Sequence, residues 1–403
     1  MMVLAVFIVL AGGSLRCAAA TASFYAELMG WKGRFKHPSA STIRNWVCRC
    51  GLHALWHAKD LSGQYVAILD ESIQIGKEKL LLMLGVPLQE DQCYCAPLTS
   101  KEVVVLGMEV QQSWTSGAIV DFVKRRLNQY KHLKIRYLLS DQGTSIRAAV
   151  RQLGLCWVID CTHVMMNAVK QLFEQDEALK AFCAQTGELR QRLILTDYNI
   201  LLPPNLRVKD RFLRIFTLLE WTDRMDQWWT RLSEEARNHL RFYREDCPLL
   251  CRLQEVRELI RISSTILKRA GLSEASYQRW RQEVEAFSQS TQRLSLQAQQ
   301  FIQTIDAYFK THAPLYQGKD QLLCCSDIIE STFGRYKNKG GMKVISADIL
   351  SIALYNQPIT LDFVSQAMTK VSGKELQEWQ KNYICPNRYG LIYKMNHEIK
   401  NVG

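Results

Sequence analysis

Between Tyr65 and Val86 the chain reads "YVAILDESIQIGKEKLLLMLGV". Val66, Ala67, Ile68 and Leu69 are an unbroken apolar run, which predicts a buried strand over 65–70 with Asp70 at its exit. Gly76-Lys77 predicts a turn, and Leu80 to Val86 a second strand. A carboxylate at the end of a core strand is costly unless it is paired or bound to a cation. Asp70 is therefore either a turn or capping residue, or one of several acids that converge. Ser72 cannot act as a carboxylate, so Glu71 is the only adjacent substitute for it.

The pattern continues with strands predicted at 79–86, 103–110, 135–140 and 155–160. Helices are predicted at 117–132 and 144–153. Three strands in hairpin succession, followed by helix, strand, helix and strand, imply a mixed five-stranded α/β sheet rather than a regularly alternating one. With 403 residues, 47% of them hydrophobic, the chain can bury a large core and form two or three domains.

Residues 1–60 read as a helical N-terminal region. Ser14 predicts a cap for a helix to about Leu28, with Gly30 as its stop. Ser41 predicts the cap of a second helix, broken near Gly51. The pair resembles a helix-turn-helix, with Arg44, Asn45 and Arg49 toward DNA and Ile43, Trp46 and Val47 inward. A plain helical hairpin is the alternative. Residues 61–163 are the first part of the sheet domain. From 164 to 320 the periodicity is helical, and 273–312 reads as one long helix. Residues 321–345 carry a helix with Ser326 as cap and Gly340-Gly341 as stop, and 346–403 read as a C-terminal tail.

The opening "MMVLAVFIVLAGGSLRCAAA" imitates a secretory signal but lacks a basic start. Its apolar run is too short to span a bilayer. We read it as a core helix, which implies a missing upstream piece and no membrane partner. The 13 cysteines are irregularly spaced, without a paired CxxC pattern, which disfavours structural zinc and fits a reducing, cytoplasmic setting. The 51 basic and 39 acidic residues give a net charge of +12, which favours a polyanionic partner.

Two later acids occupy positions comparable to Asp70. Asp141 ends the run "IRYLLSD", and Glu330 lies in the first turn of the helix beginning near Ser326. Two carboxylates at strand ends of one sheet, with a helical Glu beside them, repel one another unless cations compensate. Hard oxygen ligands suit Mg²⁺ or Mn²⁺. Two such ions roughly 3.5–4 Å apart can activate a hydroxyl and stabilise a phosphodiester's leaving oxygen.

The pieces "YVAILDES", "YLLSDQGTSI", "VIDCTHVMMNAV" and "IIESTFGRYKNK", in that order over residues 60–345, resemble the DDE transposases with a ribonuclease-H-like catalytic domain, including insertion-sequence enzymes. The resemblance implies that Asp70, Asp141 and Glu330 are the catalytic, metal-binding triad. It implies two Mg²⁺ or Mn²⁺ ions, DNA as element end and target, and a homo-oligomer on that DNA, associated with the nucleoid if bacterial. In such enzymes hydrolysis at the element end is followed by attack of the freed 3′-hydroxyl on target DNA. Asp160-x-x-His163 looks like a sequence found here in hAT- and Mutator-like transposases, making both accessory candidates. The alternative for them is a capping Asp with a satisfied His.

Lys337 follows Glu330 by seven residues, two helical turns on the same face. With Arg335 and Lys339 it is a candidate phosphate contact. Ser326 stands where one such family has Arg, so no subfamily is assigned. Trp228, Trp229 and Trp280 in the helical stretch are more simply core than base-stacking platforms, and Arg224, Arg231 and Arg281 are DNA candidates by charge alone. Two other readings remain: a different ribonuclease-H-like nuclease, or an inactive DNA-binding descendant.

Overall fold

A computed structural model describes residues 1–31, 37–57, 61–75, 78–88, 98–205, 211–245, 247–291, 293–316, 321–338, 345–384 and 392. In chain order the first elements are α1 (Met2–Leu10), α2 (Leu15–Leu28), α3 (Ala40–Trp56), β1 (Gly63–Ile75), β2 (Glu78–Pro87), β3 (Val104–Gln111), α4 (Ser116–Gln129), β4 (Leu133–Ser140), α5 (Thr144–Leu153) and β5 (Trp157–Ile159). There follow α6 (Cys161–Phe173), α7 (Glu177–Leu193), α8 (Arg211–Trp228), α9 (Glu234–Glu245), α10 (Cys247–Ala270), α11 (Glu274–Ser290) and α12 (Leu296–His312). The last are α13 (Asp327–Lys337), α14 (Leu361–Lys370) and α15 (Gly373–Tyr383). The chain divides into two compact units, one holding the sheet with both chain ends and the other spanning Ile159–Cys325.

The sheet is mixed and five-stranded, in the order β3-β2-β1-β4-β5. β1 pairs antiparallel with β2 and parallel with β4, and β2 pairs antiparallel with β3. Tyr65, Ala67 and Leu69 of β1 join Leu81, Met83 and Leu106 in one core cluster with Ile119, Phe122 and Val123 of α4 and Ile146 and Ala149 of α5. Alternation sends Val66 and Ile68 to the opposite face. Both faces of β1 are buried, which is why Val66–Leu69 carries no polar alternation.

On the α4 face, Glu109 of β3 is buried and meets two guanidinium groups. Arg125 Nη2 donates to its Oε2 at 2.8 Å and Arg126 Nη2 to its Oε1 at 2.7 Å. Arg126 also donates to Gln129 Oε1 at 2.9 Å and lies over the Phe122 ring. Gly107 makes room for this arginine, because a Cβ there would come within 2.5 Å of Arg126 Cδ.

α3 is the hub of the opposite layer. Ile43, Val47, Cys48 and every residue from Cys50 to Leu55 are buried. It packs against α1, α2, α14, α15 and the segment Ala347–Leu354. Along its first three turns α3 leaves Ser41 exposed and Thr42, Arg44, Asn45, Trp46 and Arg49 half-buried. The predicted break at Gly51 is absent. Gly51 lets α3 approach Leu350, whose carbonyl oxygen would lie 2.2 Å from an added Cβ. Gly51→Ala is expected to cost about 1–3 kcal/mol, as overpacking does. The urea midpoint should fall accordingly, and an unchanged midpoint would contradict this packing.

Other expectations shift as well. Ser39, not Ser41, caps α3, accepting from Thr42 N at 3.2 Å, whereas Ser14 does cap α2. β1 runs on to Ile75, and β5 is only three residues long. The predicted 346–403 tail carries Ala347–Leu354, α14 and α15, all packed on α3. The turn at Gly76-Lys77 and the stop at Gly340-Gly341 lie outside the described residues.

In the Ile159–Cys325 unit the described elements are helical, apart from a single bridge in which Leu272 and Leu322 exchange backbone hydrogen bonds at 2.9 Å. The stretch 273–312 is two helices. Ser295 caps α12 through Ala298 N, and Glu255 accepts the Ser295 N–H at 2.9 Å. A Ser/Thr-rich joint offers the backbone these partners in place of helical ones. Among the described residues no helix is long and apolar enough to cross a membrane. α1 packs on α2 and α3, with Ala5, Val6, Val9 and Leu10 buried.

Candidate functional site

The site follows from the register of the central parallel pair. The parallel pairing runs as far as Ile68 of β1 with Leu139 of β4. Asp70 lies two residues beyond Ile68 within β1, and Asp141 directly follows the end of β4 at Ser140. Alternation puts Asp70 on the Ile68 face of β1, and Asp141 leaves the end of the neighbouring strand. Neighbouring strands run about 4.8 Å apart. Asp70 is not at a strand exit, since β1 continues beside β2 with Asp70 opposite Leu82. It lies where β1 outruns β4.

The backbone around Asp141 is tied down. Trp157 Nε1 donates to Ser140 Oγ at 3.0 Å, and the Ser140 hydroxyl donates to the Asp141 carbonyl at 3.0 Å. Asp141 Oδ1 accepts the Gly143 N–H at 3.0 Å, and α5 starts directly after that turn. An added Cβ at Gly143 would sit 3.0 Å from the same oxygen. These supports had no sequence signal beyond the "DQG" turn.

Glu71, one residue along, faces the other way. It accepts from Lys79 Nζ at 3.0 Å, and Lys79 O in turn accepts from Trp114 Nε1 at 3.1 Å. It does not substitute for Asp70.

Glu330 lies in the first turn of α13, exposed. α13 packs against β1 through its apolar face, where Ile329, Phe333 and Tyr336 are buried. Those residues are not in the α4/α5 cluster, which puts α13 on the Asp70 face of the sheet. Ser326 holds the N-cap position, but its side chain makes no capping bond. Among the described residues no three His, Cys, Asp or Glu side chains form a group that could hold a metal ion. Asp70 and Asp141 nonetheless belong to neighbouring parallel strands, and their hard oxygens are the donor type that fits Mg²⁺ or Mn²⁺.

Asp160 and His163 belong to the other unit. Asp160 is fully buried and caps α6, its Oδ1 accepting the His163 N–H at 2.8 Å and lying 3.1 Å from His163 Nδ1. The capping reading therefore holds for Asp160, and the same carboxylate orients the imidazole. Next to it, Ile159 is bound on both sides by α12: Tyr308 OH donates to its carbonyl at 2.7 Å and its N–H donates to His312 Nε2 at 3.2 Å. His312 Nδ1 sits 2.9 Å from Tyr308 O. Burial lowers the His312 pKa, so the neutral ring with a proton on Nδ1 fits both bonds.

Three predicted DNA contacts have partners within the chain. Arg44 Nε pairs with Asp348 Oδ1 at 2.7 Å. Arg49 donates to the Val371 and Met368 carbonyls at 2.6 Å each, closing the end of α14. Arg335 donates to Leu10 O at 2.7 Å and covers the Tyr355 ring at 4.3 Å. The physical reason is common to all three: each stands beside an unsatisfied carbonyl or carboxylate that needs a donor. Lys337 is exposed, and Lys339 lies outside the described residues. A pocket of about 560 Å³ lined by Leu10–Gly12, Ser331, Gly334, Arg335 and Asn338 runs along α13.

The tryptophans of the helical unit also have partners. Trp280 is buried, donating to Ser263 Oγ at 2.9 Å. Trp229 is edge-on to Tyr243 and carries Arg244 4.2 Å above its ring. Arg224, Arg231 and Arg281 are exposed. In comparisons with known proteins no family model matches the chain, and no curated protein matches it either.

Proposed function

We propose that the chain is a metal-dependent DNA strand-transferase of the DDE transposase kind, with Asp70, Asp141 and Glu330 as its acids. The observation that carries this reading is that Asp70 on β1 and Asp141, directly after β4, belong to neighbouring parallel strands, with α13 packed against β1. The strand order β3-β2-β1-β4-β5 with an antiparallel β2 is compatible with the ribonuclease-H-like layout that the sequence resemblance implies.

Asp70 and Asp141 would hold the divalent ion, with Glu330 approaching from α13. A cation bound there supplies polarisation of the phosphodiester and activation of the attacking hydroxyl. The protein's part is to fix the carboxylates. The Trp157–Ser140 contact and the Gly143 N–H hold Asp141 in place, leaving Oδ2 as its second acceptor. The basic excess of the chain supports binding to a polyanion, and Arg335 and Lys337 are exposed cations on the Glu330 helix.

The test uses duplex DNA carrying the sequences that flank the coding region. Incubation with Mg²⁺ is expected to give cleavage at a fixed position and joining of the freed 3′ end to a second duplex. Cleavage without joining would favour a nuclease. Intact DNA in both Mg²⁺ and Mn²⁺ would contradict the proposal.

A further inference from the structure

We infer that the exposed face of α2 is an interface between two copies of this chain, packed antiparallel across a twofold axis. The inference rests on the α1–α2 hairpin alone and not on the proposed reaction.

The inner face of α2 is a stripe of alanines, Ala18, Ala22 and Ala26, all buried. The outer face is apolar as well. Phe24 is 66% exposed and Leu28 70%, and Trp31, past the end of the helix and edge-on to Tyr25, is 40% exposed. Tyr25 and Met29 at the same end of α2 are exposed as well. At roughly 200 Å² for each large side chain, these five leave on the order of 500 Å² of apolar surface in water. That is at the upper end of what a monomer carries in one patch. It approaches the ~800 Å² that each partner gives to a standard interface.

Two features select a second copy as the occupant. The first is charge. Residues 1–31 contain one cation, Arg16, and one anion, Glu27. Both lie on the outer face of α2, both are exposed, and neither has an ion-pair partner among the described residues. They are three helical turns apart. An antiparallel pairing centred between them sets Arg16 of each copy against Glu27 of the other. A chain of net charge +12 repels its own copies elsewhere, so a neutral, self-matching face is where two can meet.

The second feature is shape. The N-terminal half of the outer face carries Cys17 and Ala20, both exposed and small. The C-terminal half carries Phe24 and Leu28. Antiparallel pairing places the bulky half of one helix over the small half of the other, as close packing requires.

Sedimentation equilibrium of the full chain, without DNA or metal, tests this. A dimer is expected at about 10 μM, the range in which interfaces of this size commonly hold. Phe24→Glu combined with Leu28→Glu should give a monomer with an unchanged urea midpoint, since both side chains lie in solvent within one chain. Arg16→Glu should weaken the dimer about tenfold, and adding Glu27→Arg should restore it. A wild-type monomer at about 100 μM, or a dimer untouched by the Phe24/Leu28 change, would overturn the inference. So would a failure of Glu27→Arg to rescue Arg16→Glu, or a monomer that pellets with phosphatidylcholine–phosphatidylserine vesicles, which would assign the face to lipid.

Discussion

Replacing Asp70 or Asp141 by Asn is expected to lower Mg²⁺-dependent strand cleavage by roughly 10³-fold or more. An amide keeps the shape of the carboxylate and removes the charge that holds a cation. The several kcal/mol of charge stabilisation lost with the metal, at about 1.4 kcal/mol per tenfold, sets that scale. DNA affinity should change little, because it comes from Lys and Arg contacts to phosphates and weakens with salt. Glu71→Gln is the internal control. Glu71 is one residue away but faces the opposite side and pairs with Lys79, so its variant should cleave like the wild type. Glu330→Gln should resemble the two Asp variants. Equal loss in Glu71→Gln and Asp70→Asn would mean that the stretch acts through the strand and not through one carboxylate.

The largest stability effect is expected at Glu109, far in sequence from those acids but in the same sheet. Its carboxylate is buried beneath Arg125 and Arg126. Arg125 is half in solvent and can rehydrate. Arg126 is mostly buried, with its Nε already lacking a hydrogen-bond partner. Glu109→Ala strands that guanidinium and should cost about 3–5 kcal/mol. Glu109→Leu with Arg126→Met removes both charges and should recover most of the loss, as an apolar replacement of a buried pair commonly does. Urea denaturation of the three proteins measures both effects. A loss below about 1 kcal/mol in Glu109→Ala would show that the pair is solvated and carries only the weight of a surface bridge.

The sheet was legible because its strands are apolar runs and its helices have helical periodicity. Val66–Leu69, Leu80–Val86 and "IRYLLSD" announce strands, and α4 and α5 fall within a few residues of their predicted bounds. The register of β1 against β4 was not legible, because it is set by a bulge between Tyr65 and Val66 that shifts the pairing past Arg136. The internal partners of Arg44, Arg49 and Arg335 left no trace in the sequence for one reason. A cation in a helix looks the same in sequence whether it meets a phosphate or a carbonyl from 300 residues away. The Ser140–Trp157 clasp and the α12 grip on Ile159 were invisible because their halves lie 17 and about 150 residues apart.

The central claim is that Asp70 and Asp141 share a divalent cation. Anomalous diffraction from crystals of the full chain soaked in Mn²⁺ tests it most directly. A Mn²⁺ peak is expected bonded to one carboxylate oxygen of each, at roughly 2.1 Å, beside β1 and the end of β4. Mn²⁺ bound elsewhere, with Asp70 and Asp141 both lacking it, would show that they do not share an ion.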